Sequence, residues 1–158
     1  MITLRQIIED NFADCVGLEV ADDQKTFVAP NTYSLAQAWL YHENTRPFAI
    51  YNDEEMVGFV MLDTDYEGAA AKGICDLWRL MIDKRYQGRG YGKAAMEAVI
   101  HYAKAELQTK QMRTSFVPGN AGAERLYAGL GFIPTGEMDG DEIVMMLDLG
   151  AQETEQRA

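Results

Sequence analysis

The sequence is poor in cysteine, poor in positive charge and without any long apolar run. Its two cysteines, Cys15 and Cys75, are too few for a disulfide framework, and a reduced, cytoplasmic setting is expected. No apolar stretch approaches the ~18 residues that a bilayer crossing needs. The first residues lack a basic region followed by an apolar one, so neither a signal peptide nor a membrane partner is expected. Fourteen Lys and Arg stand against 25 Asp and Glu, for a net charge of −11. Duplex nucleic acid needs a basic footprint and is excluded as a partner. No set of His, Cys and carboxylates has metal-ligand spacing, so no metal is expected. There is no internal repeat.

What is present fits an ordinary globular chain. Its 158 residues are 47% hydrophobic and 25% charged, enough for one domain with a real core. Residues 1–149 read as that domain, and the polar residues 150–158 as a flexible tail. The charge is uneven: residues 1–67 hold 13 acids and 3 bases, whereas residues 68–158 hold 12 acids and 11 bases. The acidic half would attract a small cation, although acidity also serves plain solubility.

Hydrophobic periodicity predicts a mixture of helices and strands. Helices are expected over residues 8–17, with Ile8, Phe12, Cys15 and Val16 on one face, and to about residue 42 after a Thr32 or Ser34 cap. A long helix should end near residue 107, and a short one should run from Asn120 to about Leu130, closed by Gly131. Strands are expected over residues 2–5, 46–51, 56–62, 73–82, 111–117, 132–135 and 143–149, the last two separated by an acidic turn over 137–142. Strict alternation along 73–82 would place Asp76, Trp78 and Leu80 on one face and Cys75, Leu77 and Arg79 on the other.

The segment Arg85-Tyr86-Gln87-Gly88-Arg89-Gly90-Tyr91-Gly92-Lys93 joins a strand to a helix. Alternate glycines let a backbone approach a ligand closely, and the amides at a helix start form an anion site. Lys84, Arg85, Arg89 and Lys93 surround it, a local exception in an acidic chain. A polyphosphate would explain them, and so would a solvated glycine-rich turn. A Walker loop is excluded, because Ala94 follows Gly92-Lys93 and Gln87 stands at the first glycine position. The dinucleotide fingerprint G-x-G-x-x-G is also absent.

About thirty residues on comes Asn120-Ala-Gly-Ala-Glu-Arg-Leu-Tyr127-Ala-Gly-Leu-Gly-Phe132. With both segments in order, the sequence resembles the GNAT superfamily of acetyl-CoA-dependent N-acetyltransferases over about residues 47–148. Gln87-x-x-Gly90-x-Gly92 looks like the family's pyrophosphate signature, and the Asn120…Phe132 pattern like its second CoA-binding segment. The resemblance implies an α/β fold, a mixed and mostly antiparallel sheet splayed at the central strand with helices on both faces. It also implies acetyl-CoA as cosubstrate and leaves a homodimer open.

The implied roles follow residue by residue. The backbone of Leu80, Met81 and Ile82 would pair with the pantetheine arm. The amides of Gln87, Gly88, Arg89, Gly90, Tyr91 and Gly92, with Lys93 beside them, would hold the pyrophosphate. Asn120 would bond the arm or the pyrophosphate, Ala123 would leave room for the arm, and Tyr127 would lie near the sulfur. Acetyl transfer needs a neutral amine, a stabilised oxyanion and a protonated leaving thiolate. Tyr127 is the expected general acid and Asp76 the expected base, at a position where some branches carry Glu. Each has a plain alternative: a tyrosine packed at the core edge, and an aspartate paired with Arg79. The backbone N–H of Leu80 or Met81 is the expected oxyanion donor.

In this superfamily the N-terminal helices build the acceptor site, and here that region is acidic. Glu19, Tyr33, Tyr41, Trp78 and Asp76 are the expected substrate contacts, through ion pairs and cation–π packing. The stretch LWRLMIDKRYQGRGYGKAA is similar to that of bacterial spermine/spermidine acetyltransferases. A cationic polyamine is therefore the expected acceptor. The alternatives are another amine, such as an aminoglycoside, an amino acid or a protein N-terminus, or a CoA-binding module without activity.

Overall fold

The computed structural model describes residues 1–150; the greater part of the expected tail lies outside them. Seven strands form one sheet in the order β1-β2-β3-β4-β5-β7-β6. They are β1 (Ile2–Gln6), β2 (Thr45–Asn52), β3 (Glu55–Asp63), β4 (Ile74–Ile82), β5 (Gln111–Phe116), β6 (Ile133–Asp139) and β7 (Glu142–Asp148). Every pairing is antiparallel except β4 with β5. The helices are α1 (Glu9–Gly17), α2 (Asn31–Leu40), α3 (Tyr91–Leu107) and α4 (Ala121–Gly129).

The helices cover both faces of the sheet. Met96, Val99 and Ala103 of α3 and Tyr127 of α4 are buried against Val60, Leu62, Cys75 and Leu77. On the other face Cys15 of α1 and Ala38 of α2 pack with Phe59, Met61 and Met81. Each fully buried Val or Met side chain contributes roughly 1.5–3 kcal/mol, so both layers are held by ordinary apolar burial. Burial also pushes the Cys15 thiol up to about 11 and the Cys75 thiol up to about 12. Both are therefore protonated, unreactive thiols at neutral pH.

Three local expectations are corrected. Ile8 and Phe12 are more than half exposed. Ile8 precedes α1, and it is Asn11 that ties the helix start down, accepting from Ile8 N at 2.8 Å and donating to the Gln6 carbonyl at 3.1 Å. Helix α2 starts at Asn31 behind Pro30 rather than at a Thr32 or Ser34 cap. Pro30 is the N-cap, its carbonyl accepting from the Ser34 N–H at 3.1 Å, and the buried Asn31 amide donates to the Cys15 carbonyl at 2.9 Å, locking α2 to the end of α1. Residues 137–139 belong to β6, which turns tightly at Gly140 with φ +59°.

Candidate active site

The parallel pairing of β4 with β5 runs from Ile74↔Gln111 to Leu77↔Thr114 and stops there. Beyond that point the two strands diverge. A cleft of about 690 Å³ opens between them, lined by Asp76, residues 77–82, Thr114, Ser115, Phe116 and the start of α3. The register of β4 against β3 also slips, from Met61↔Arg79 to Leu62↔Leu77, leaving Trp78 as an extra residue. A bulge of this kind reverses the alternation of faces beyond it. Leu80 and Ile82 therefore share a core with Cys75 and Leu77. Arg79 turns toward α2, where Nη2 donates to Gln37 Oε1 at 2.8 Å. The expected grouping of Asp76, Trp78 and Leu80 is thus broken at Trp78.

The bulge also decides which peptide groups face the cleft. A Cβ on Gly58 of β3 would collide with the Met81 carbonyl oxygen, so Met81 directs its peptide groups at β3. By strand alternation Leu80 directs its N–H and C=O away from β3, toward the cleft. On the same edge the Trp78 carbonyl accepts from Arg79 Nη1 at 3.2 Å, and the Ile82 carbonyl from Gln87 Nε2 at 2.9 Å.

The connection from β4 to α3 is built on Asp83. This nearly inaccessible carboxylate accepts from the Glu19 amide at 2.9 Å, the Arg85 amide at 2.9 Å and the Arg85 guanidinium at 2.8 Å. Burial alone would raise its pKa, but these donors hold it below the usual range. Gly88 and Gly90 then adopt φ of +77° and +83°, a region costly for residues with a Cβ. Ala94 N–H bonds the Gly90 carbonyl at 3.1 Å, so the amides before it are those that any helix start leaves without an intrahelical partner. Those of Gly90, Tyr91 and Gly92 lie at the cleft wall. A Cβ added at Gly88 or Gly90 would meet nothing within 4 Å. The loop is thus an open cradle of backbone donors, and its chemistry fits a diphosphate.

Asp76 lies at the other end of the cleft, 5% exposed. Its Oδ1 accepts from Arg113 Nη1 of β5 at 2.9 Å, so its ion-pair partner is Arg113 and not Arg79. Arg113 Nη2 reaches Asp139 of β6 at 3.1 Å, and its guanidinium lies 4.5 Å from the Tyr66 ring centre. The Tyr66 hydroxyl donates to Asp139 Oδ2 at 3.0 Å. Burial raises the Asp76 carboxyl to about 6, against the opposing pull of Arg113. Tyr127 of α4 is buried against Phe132, ring centres 5.4 Å apart. Burial pushes its phenol up to about 12, with the Thr114 side chain favouring the ionised form and the Asp76 and Glu142 charges opposing it. Asn120 caps α4, its Oδ1 accepting from the Ala123 amide at 3.2 Å.

The cleft brings together Asp76, Trp78, Leu80, Met81, Ile82, Gln87, Gly88, Gly90, Tyr91, Gly92, Asn120, Ala123 and Tyr127. Arg89 and Lys93 of the loop are not in its lining, nor are Glu19, Tyr33 and Tyr41. Glu19 pairs with Lys84 at 3.2 Å. Tyr33 and Tyr41 stand on the exposed side of α2 and just beyond its end, the Tyr41 ring 6.2 Å from that of Trp78. Other acids of the N-terminal half also have cations at hand: Asp22 pairs with Lys25, and Glu54 with Arg5. The carboxylates in the cleft besides Asp76 are Asp139 and Glu142, from the β6–β7 hairpin. Sequence reading missed both, together with Tyr66 and Arg113. An arginine between Met112 and Thr114 in a central strand was the available signal, since such a residue needs an anionic partner. Among the described residues no three His, Cys, Asp or Glu side chains gather as metal ligands.

The chain is similar to known proteins in sequence and in fold. The model of the acetyltransferase (GNAT) family matches residues 6–132. A spermine/spermidine N(1)-acetyltransferase of Bacillus subtilis (strain 168) is 32% identical over 151 residues, covering 94% of this chain and 99% of that protein. Among solved structures, a spermidine N-acetyltransferase from Vibrio cholerae in complex with CoA and spermine superposes with TM-score 0.75 at 16% identity, over 94% of this chain and 95% of that one. The aminoglycoside acetyltransferase AAC(6')-Ib in complex with coenzyme A gives TM-score 0.79 at 17% identity, over 99% of each chain. At such identities the structures share the fold.

Proposed function

The chain belongs to the acetyltransferase (GNAT) family and is an N-acetyltransferase, and from that premise we propose that it moves an acetyl group from acetyl-CoA to a primary amine of spermine or spermidine within a ternary complex. The observation that carries this reading is the single cleft that joins the open start of α3, the unpaired edge of β4, and the pair Asp76 and Tyr127. The loop over residues 87–92 takes the pyrophosphate. The edge of β4 takes the pantetheine arm as an added strand, and Asn120 and Ala123 border its path. Acetyl-CoA supplies the activated thioester.

Asp76 receives a proton from the amine. An ordinary ammonium at ~10.4 is about four pK units more basic than such a carboxylate, a gap that desolvation of the ammonium in the cleft narrows. The amine nitrogen then bonds to the thioester carbon, and the Leu80 N–H faces the oxyanion. As the C–S bond breaks, the electron pair leaves on sulfur and Tyr127 supplies its proton; the second proton that the nitrogen sheds on becoming an amide restores the Tyr127 phenol, and Asp76 returns the first to solvent. A cationic acceptor meets Asp76, Asp139 and Glu142 with Tyr66 and Trp78 beside them, which suits ammonium groups spaced by methylenes. The relatives named for spermine and spermidine support the same acceptor.

Steady-state assays with acetyl-CoA and spermine, spermidine, lysine and an aminoglycoside test the acceptor. The polyamines should have the highest kcat/KM, with intersecting double-reciprocal lines. Equal turnover of lysine or the aminoglycoside would remove the polyamine assignment. Parallel lines would replace direct attack by an acyl-enzyme.

A further inference from the structure

The cluster around Asp76 is more elaborate than a simple buried ion pair. Arg113 is the central piece. One guanidinium arm holds Asp76 Oδ1 and the other holds Asp139, while its face rests on the Tyr66 ring. Tyr66 closes the circuit by donating to the same Asp139 Oδ2 that accepts from Arg113. The guanidinium is thus fixed by two carboxylates and an aromatic ring, at 13% side-chain exposure. No donor among the described residues bonds Asp76 Oδ2. A guanidinium held by two carboxylates and a ring fixes the position of the one Asp76 oxygen that it grips.

Resting on the assignment of Asp76 as base, we propose that Arg113 is a positioning residue. It occupies Oδ1, aims Oδ2 into the cleft as the proton-accepting oxygen, and keeps the buried carboxylate ionised. Tyr66 and Asp139 hold Arg113 in that place. Without the guanidinium, Asp76 faces Asp63 of β3, Asp139 of β6, Tyr127 of α4 and the more distant Arg79 of its own strand. Asp63 and Asp139 are like charges that oppose its ionisation. The adjacent Cys75 points to the opposite face, among the residues of α3, and is a neutral thiol. Loss of Arg113 therefore leaves burial and repulsion in control of the base.

The test uses the full chain as wild type, R113Q, R113K and D76N. The Asp76 carboxyl resonance, assigned by its loss in D76N, is followed by ¹³C NMR against pH, and kcat/KM for spermidine is measured over the same range. In R113Q the Asp76 midpoint and the acid limb of kcat/KM should both move up by about one pH unit, with coenzyme A affinity within twofold of wild type. R113K keeps the charge but not the fork, and its limb should lie between the two; it carries the test if R113Q does not fold. An unmoved midpoint and limb, or a uniform fall at every pH, overturns the positioning role. D76N with wild-type rates would instead overturn the base assignment, a result that the Arg113 variants alone cannot produce.

Discussion

The Met81 carbonyl oxygen of β4 occupies the space that a side chain on Gly58 of β3 would need, and the Ile82 and Ile50 side chains crowd the same point. Here the close approach of two strands, and not backbone conformation, demands glycine. Gly58→Ala should force β3 and β4 apart and lower stability by about 1–3 kcal/mol. Urea unfolding would read this as a lower midpoint with an unchanged slope. A wild-type midpoint would show that the strands have room to spare.

Tyr127→Phe removes one hydroxyl from a buried ring and leaves its packing on Phe132 intact. The kcat should fall about 100-fold or more, within the usual range for a general acid. The dissociation constant for coenzyme A should stay near the wild-type value. A variant with unchanged kcat would return Tyr127 to a packing role and assign the thiolate's proton to water.

Gly90 holds φ of +83° immediately before α3, in open surroundings. Valine there has space but not the backbone freedom, at a cost of about 1–2 kcal/mol. Gly90→Val should weaken coenzyme A binding about tenfold in calorimetric titration, with the circular dichroism of the fold retained. Full affinity would mean that the diphosphate does not depend on this backbone shape.

Asp76 also has a signature in stability. Its carboxyl is raised by burial to about 6 in the fold, from 3.8. Between those values the folded state holds the proton that the unfolded state has lost. Stability from this group therefore falls as pH rises from about 4 to about 6, by up to about 3 kcal/mol. Asp76→Asn removes the dependence. Its stability relative to wild type should climb across that window in urea unfolding at several pH values. A constant difference would mean that Asp76 titrates normally.

The sequence made the strand and helix order legible, because alternation and helical spacing are local properties. The glycine loop and Asn120…Phe132 were legible for the same reason, since each keeps its chemistry within a dozen residues. Two kinds of fact were hidden. The Trp78 bulge is a mismatch between two strands, and nothing in residues 74–82 alone announces it. The partnership of Asp76 with Arg113 depends on the parallel register of β4 and β5, and that of Arg113 with Asp139 on a hairpin folding back across the cleft. The acidic N-terminal segment drew attention by composition, yet charge counts ignore pairing: Glu19, Asp22 and Glu54 each have a cation at hand.

Where β4 and β5 part company after Leu77 and Thr114, the sheet becomes two leaves on a short spine. A guest strand lodged between them would bind the leaves into one book, so nucleotide occupancy and resistance to unfolding become two readings of a single linked equilibrium.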